Sequence, residues 1–252
     1  MAEPAIFADL ALAARVQSSL LPKPLCRIAG WQVAFSYQPA LGVSGDYVDI
    51  VEAGQDAFHF ILGDVSGKGV SAALLMASLH ATIRVLLSSG MNLDEVVRET
   101  SSRFCDGSLP AQFATLVIGT ARRSGEVELI NAGHTPVLLV RAESTEVIAA
   151  TGVPIGLFCE IEAPFLSTSH VFMTQPGETL FLYSDGITES AGADGSEYSI
   201  ERLQSVLFVN RAQPLRNLIV SVLDDLRAFT DASALEDDRS VLTLRFLGSS
   251  PQ

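Results

Sequence analysis

Basic residues are scarce in this chain of 252 residues: 16 Lys and Arg stand against 29 Asp and Glu, a formal net charge of −13. Nucleic acid is thereby excluded as an expected partner, because a phosphate backbone needs a basic stripe. Docking on an anionic membrane is disfavoured on the same ground. Cysteine is scarcer still. Cys26, Cys105 and Cys159 lie far apart and form no CxxC pair, which excludes a zinc knuckle and predicts buried free thiols in a reducing compartment rather than a disulfide framework. No basic segment precedes an apolar run in the first twenty residues, where Glu3 and Asp9 stand, so no secretory leader is expected. Long hydrophobic runs are also missing. The most apolar stretch, Val70 to Leu87, is interrupted by Ser71, Ser78, His80, Thr82 and Arg84 and reads as a buried helix rather than a membrane span. At 48% hydrophobic and 18% charged residues the chain is neither disordered nor a coiled coil. The expectation is a soluble, cytoplasmic, acidic globular protein.

What is present alternates between strand and helix periods. Residues 5–21 hold no Gly or Pro and carry Ile6, Leu10, Ala13, Gln17 and Leu20 along one stripe, ending at Pro22 and Pro24, which predicts a helix. Strands are expected over Trp31–Tyr37, Tyr47–Val51 and Ala57–Leu62, the last apolar on both faces and therefore central. A helix over Val70–Leu87 would lay Val70, Ala73, Leu74, Ala77 and Ala81 on a sheet. Asn92 would cap a second helix over Leu93–Phe104. Strands follow at Phe113–Thr120, Val127–Asn131 and Val137–Arg141, then a mixed region 142–177 of short strands and loop containing Pro154, Gly156 and Pro164. A buried strand at Thr179–Tyr183, helices at Ile200–Phe208 and Leu215–Phe229, and a strand at Val241–Phe246 complete the order. Strands in runs and helices in pairs, without regular βαβ alternation, predict an α+β fold with mostly antiparallel sheets and helices outside.

One feature recurs. Three times an apolar strand or its turn delivers an aspartate beside glycine: Gly45-Asp46, Gly63-Asp64 and Asp185-Gly186; a fourth acidic site, Glu236-Asp237-Asp238, precedes the last strand. A lone Asp-Gly is a common turn. Asp64 and Asp185, however, follow runs that must be interior, and desolvation there favours neutral carboxyls unless opposite charge compensates. Only Lys68 and Arg239 are adjacent in sequence. Converging aspartates carry a charge that two divalent cations would offset, and oxygen-only ligands point to Mg2+ or Mn2+ rather than Zn2+.

The series VSGDYVDI, GDVSGKGVSAALLMA, NAGHTPVLLV, GVPIGLF, LYSDGITES and DDRS, in that order from about Gln17 to Phe246, resembles the metal-dependent protein phosphatase (PPM) superfamily. It is most similar to its bacterial branch, the SpoIIE/RsbU-type serine phosphatases. The resemblance implies a sandwich of two antiparallel sheets flanked by helix pairs. It also implies two Mn2+ or Mg2+ ions, with Asp46 and Asp64 as ligands and Asp64 bridging. The Val65 carbonyl would serve the second ion, and Asp185 and Asp237 the first. Asp238 occupies the next position of a DDxT-like motif and is expected in support, with an exchange of roles with Asp237 left open. Asp49 is expected to be structural. Hydrolysis of a phosphoserine or phosphothreonine monoester by metal-activated water is implied, with no covalent phosphoenzyme.

The chain departs from the eukaryotic pattern. Ser66 stands where those members carry a histidine, and their phosphate-gripping arginine has no evident counterpart; Ser44 and Val48 replace a glycine and an aromatic residue. His134, in Asn131-Ala-Gly-His134, is read as a hydrogen-bonded structural residue, with a place beside the active site as the alternative. His59, His80 and His170 are read as structural, the last two without carboxylate neighbours. The Gly152-Val-Pro154-Ile-Gly156 segment is read as architecture or switch.

ARVQSSLLP, Ala14 to Pro22, resembles the connector that precedes many such catalytic domains. Residues 1–22 are therefore expected to be a connector or dimerisation helix, able to bind a regulatory protein, and 23–248 the catalytic domain. By resemblance the substrate would be a phosphorylated STAS-domain anti-sigma-factor antagonist or a similar phosphoprotein. Two other readings are a non-catalytic module of the same fold that binds a phosphoprotein, and hydrolysis of a small phosphoester or a nucleotide second messenger. The latter lacks a GxxxxGK[ST] loop to support it.

Overall fold

In a computed structural model, residues 3–159, 167–230 and 235–248 are described, with side chains from Phe7 onward. Ile6 of the first apolar stripe and Pro164 of the mixed region therefore lie outside the described side chains. The order is α1 (Glu3–Leu20), β1 (Leu25–Ile28), β2 (Trp31–Gln38), β3 (Asp46–Glu52), β4 (Ala57–Val65), α2 (Val70–Ser88), α3 (Leu93–Gly107), β5 (Ala114–Arg122), β6 (Glu126–Ala132), β7 (Val137–Val140), β8 (Thr145–Ile148), β9 (His170–Met173), β10 (Thr179–Tyr183), α4 (Asp185–Thr188), α5 (Ile200–Asn210), α6 (Leu215–Phe229) and β11 (Arg239–Phe246).

Two antiparallel sheets form, one in the order β1-β2-β11-β10-β7-β8 and one in the order β3-β4-β5-β6-β9. Between them lies a dry layer that includes Trp31, Phe58, Phe60, Leu62, Leu129, Leu182 and Leu242. The outer face of the β3–β9 sheet packs under α2 and α3 through Ile61, Met76, Ile83, Val96 and Ile130. The outer face of the other sheet packs under α5 and α6 through Phe181, Leu203, Leu218 and Val222. The predicted α+β sandwich is thus the observed one. β4 reads apolar on both faces because each face meets a different core layer.

Local chemistry explains several boundaries. Asn92 caps α3 through a capping box with Glu95: the Glu95 N–H donates to Asn92 Oδ1 at 2.9 Å, and the Asn92 N–H to Glu95 Oε2 at 3.0 Å. β1 is a short edge strand that sequence periodicity did not mark, and α4 is one helical turn.

Two expectations are corrected. The α2 residues that face the sheet are Ala72, Met76, Leu79, Ile83 and Leu86, whereas Val70 and Leu74 are 55% and 68% exposed. The two sets run side by side at helical spacing. Choosing between them required knowing that the loop from β4 enters α2 with Ala72 beneath it, against Gly45. Although α2 is long and apolar enough to cross a membrane, that face is committed to the sheet. The second correction is that Cys105 and Cys159 are joined in a disulfide, leaving Cys26 as the free thiol among the described residues. Fifty-four residues of sequence separate the pair, but the fold carries the end of α3 beside the segment after Gly156, so sequence spacing gave no hint of the bond.

Candidate metal centre

The first acidic pair is set by strand register. Asp46 opens β3 and Asp64 nearly closes β4, and the two are direct antiparallel partners, so their side chains leave the same face of the sheet. Gly45, just before, has no side chain because none would fit. A Cβ there would lie 2.8 Å from the Val65 carbonyl oxygen and 3.4 Å from Asp64 Oδ1. That closeness brings the Val65 carbonyl beside the two carboxylates.

Asp238, in the loop before β11, reaches across from the other sheet. Its Oδ1 accepts from the Ala40 N–H at 2.7 Å and its Oδ2 from the Gly45 N–H at 3.1 Å. Both oxygens thus fasten the 40–45 loop. Asp237 instead points outward, where Lys68 Nζ lies 3.0 Å from its Oδ2. Asp185 starts α4 directly after β10. Ser184 ties it to the β11 strand, its hydroxyl donating to the Asp238 carbonyl at 3.2 Å and accepting from the Ser240 N–H at 2.9 Å.

The electrostatics agree with convergence. Burial raises the Asp46 carboxyl far above its ordinary value, with Asp238 and Asp185 adding to the rise. Burial does the same for Asp64, reinforced by Asp46, Asp185, Asp237 and Asp238. Asp185 is raised by burial and then by Asp237, with Lys68 opposing. Each of these aspartates feels at least one other carboxylate, and burial without compensation holds them towards the neutral form. Among the described residues no group of three or more His, Cys, Asp or Glu is drawn together as a ready-made metal cage. Asp46 Oδ2 is nevertheless buried without any hydrogen-bond partner. An orphaned buried carboxylate oxygen and a set of oxygen donors with no imidazole or thiol fit Mg2+ or Mn2+.

The surrounding residues hold this array. Gln17 of α1, 6% exposed, grips the Ser44 backbone from both sides: its Nε2 donates to the Ser44 carbonyl at 2.8 Å, and its Oε1 accepts from the Ser44 N–H at 3.0 Å. The sequence placed Gln17 on the apolar stripe. A polar residue there was the available sign of a buried contact, but its partner was not legible. Asp49 is structural, as expected, and accepts two hydrogen bonds of 2.7 Å from Arg84 and one of 3.1 Å from the Tyr47 hydroxyl. His80 differs from expectation, since its Nε2 lies 3.7 Å from Asp49 Oδ2; the carboxylate neighbour comes from another element. Ser66 accepts from the Phe113 N–H at 2.9 Å and so ties the end of β4 to the start of β5. His134 is buried with Nδ1 2.7 Å from Thr115 Oγ1, and Thr115 is the cross-strand partner of Asp64. Burial lowers the His134 pKa to about 4, which keeps the ring neutral beside the strand partner of Asp64. His59 contacts Thr120 Oγ1 at 3.0 Å, away from this site.

With the geometry in place, comparison with known proteins decides the family. The family described as "Stage II sporulation protein E (SpoIIE)" matches residues 54–247. The chain belongs to the SpoIIE family. Protein IcfG of Synechocystis sp. is 27% identical over 259 residues, covering 91% of this chain and 40% of that protein. Phosphoserine phosphatase RsbP of Bacillus subtilis is 27% identical over 238 residues, covering 91% of this chain and 56% of that protein. The chain therefore spans roughly half the length of these relatives. Among solved structures, the SiaA-PP2C domain of Pseudomonas aeruginosa superposes with a TM-score of 0.83 at 20% identity, covering 97% of this chain and 98% of that one. The catalytic domain of the phosphatase PstP, in complex with 2 manganese ions, does so at 0.61 and 15% identity, covering 85% and 97%. The PP2C-like fold of this SpoIIE-family chain is thereby established.

Proposed function

We propose that this chain is a Mn2+- or Mg2+-dependent phosphatase that removes phosphate from a phosphoserine on a small regulatory protein, a STAS-domain anti-sigma-factor antagonist being the substrate the family resemblance favours. The observation that carries the reading is the pairing of Asp46 with Asp64 across β3 and β4, with Asp64 feeling the charge of Asp185, Asp237 and Asp238 from the opposite sheet. Asp46, Asp64, the Val65 carbonyl, Asp185 and Asp237 would hold two ions. Held there, such ions supply positive charge for the phosphoryl oxygens and an activated water.

The protein's own residues do the rest. Asp238 and Gln17 fix the 40–45 loop from opposite sides, so that Asp46 is delivered in one orientation. Desolvation of the buried Asp46 and the partly buried Asp64 makes their ionised forms depend on a bound cation. Residues 1–22 act as a connector helix and 23–248 as the catalytic domain in this reading, and Gln17 is the contact through which the former touches the site.

The test is Mn2+-dependent release of phosphate from a phosphoseryl protein, with Asp64→Asn and Asp185→Asn alongside. Both variants should bind Mn2+ poorly and lose turnover. Turnover unchanged in both variants would remove the proposal. Capture of the phosphoprotein by the wild type without turnover would favour a binding module of the same fold.

A further inference from the structure

A cation stands beside the outermost of the clustered aspartates, Asp237. Lys68 Nζ donates to the Glu236 carbonyl at 2.7 Å and pairs with Asp237 Oδ2 at 3.0 Å, and its side chain remains 49% exposed. The turn that carries it is open to solvent at Gly67 and has two left-handed glycines: Gly67 and Gly69 have φ of 96° and 72°, and nothing lies within 4 Å of a Cβ built on Gly67. Directly behind it α2 begins at Val70, with no side-chain cap and no acidic residue in its first turn. The helix end therefore adds positive potential at the same place. Arg239, the other cation adjacent in sequence, is engaged elsewhere: its Nε donates to the Gly186 carbonyl at 3.2 Å and its guanidinium to Ser190 Oγ at 2.8 Å.

An ion pair this exposed adds little to stability, so folding alone does not account for an ammonium held against Asp237. The pair makes sense as one of two alternatives. While no other cation takes up the charge of Asp237, whose Oδ1 accepts from the Asp238 N–H at 2.9 Å, Lys68 offsets part of the charge of Asp237, Asp238 and Asp185, which in turn raise its own pKa. When a cation takes up the charge of Asp237, the attraction is lost. The anion then nearest to the ammonium is the phosphoryl group of a substrate brought to the same aspartates. We propose that Lys68 is the phosphate-gripping residue of this site, parked on Asp237 in the ion-free protein and turned onto a phosphoryl oxygen in the loaded one. It would supply the contact for which no arginine was found. Lysine serves such a role as a mobile point charge. The inference rests on the two-ion reading of the aspartates.

The experiment compares the full chain with Lys68→Gln and Lys68→Arg by calorimetry, first with Mn2+ alone and then with inorganic phosphate added to the Mn2+-loaded proteins. Lys68→Gln should bind Mn2+ at least as tightly as the wild type, since a competing cation has gone. It should bind phosphate about tenfold or more weakly, the loss expected for one charge-assisted hydrogen bond, and Lys68→Arg should recover most of that loss. Equal phosphate affinity in wild type and Lys68→Gln, with Mn2+ binding intact, would overturn the assignment of Lys68 alone. Weaker Mn2+ binding by Lys68→Gln would also overturn it, making the residue part of the scaffold. Absence of Mn2+ binding by the wild type would overturn both this inference and the two-ion reading.

Discussion

Asp46 is fully buried, faces a second carboxylate across a strand pair, and keeps one oxygen without a partner. Such an arrangement opposes folding unless protons or cations neutralise it. The pKa of Asp46 is raised to about 8 and that of Asp64 to about 9, both above the unfolded value of about 4. In that interval the native state binds more protons than the unfolded one, so ion-free stability falls as pH rises through it. Between about pH 7 and 9 the melting temperature of the ion-free protein should drop, and saturating Mn2+ should flatten the slope. Scanning calorimetry at fixed ionic strength reads both. Asp64→Asn should raise the ion-free melting temperature by about 2–4 °C at neutral pH while removing Mn2+ binding, and a lowered melting temperature would contradict the repulsion argument. Gly45→Ala forces a Cβ to 2.8 Å from the Val65 carbonyl. It should cost about 1–3 kcal/mol and weaken Mn2+ binding, as chemical denaturation and calorimetry would show.

Among the helices, α1 is the least buried in the rest of the fold, with Gln17 as its buried side chain and Phe7, Leu12 and Val16 exposed. Its two hydrogen bonds to Ser44 place the loop that ends in Asp46 under the control of this helix. Gln17→Ala should cost about 1–3 kcal/mol in stability, because it leaves buried backbone groups unpaired. It should also lower Mn2+ affinity, which a purely peripheral helix would not do. The Cys105–Cys159 bond joins the end of α3 to the segment after Gly156. Closing a loop of this length is worth roughly 4 kcal/mol in the chain-entropy account. Thiol titration in denaturant without reductant should find one reactive thiol, Cys26; three would return the molecule to the free-thiol expectation.

For the whole molecule, the sandwich places its acidic residues by bringing together the ends of strands from different sheets. β3 and β4 of one sheet provide Asp46 and Asp64, while β10 and β11 of the other lead into Asp185 and out of Asp238. The exposed apolar side chains of α1 suit a second copy of the helix. If residues 5–21 mediate a dimer, light scattering at micromolar concentration should find a dimer that their deletion converts to a monomer, and a wild-type monomer unchanged by the deletion would contradict that.

The amino-acid order alone determined the element types, the antiparallel layering and which aspartates were candidates. Strand alternation, the Asn92 cap and Asp-Gly steps at the ends of apolar runs are local signals, and local physics writes them into neighbouring residues. Only the tertiary structure decided which face of α2 meets the sheet, that Cys105 finds Cys159, that Gln17 grips Ser44, that His80 lies beside Asp49, and that Asp238 fastens a loop while Asp237 turns to Lys68. Each of these joins residues distant in the chain. Their energy comes from a partner that periodicity cannot name, because long-range pairing depends on how the two sheets are laid against each other.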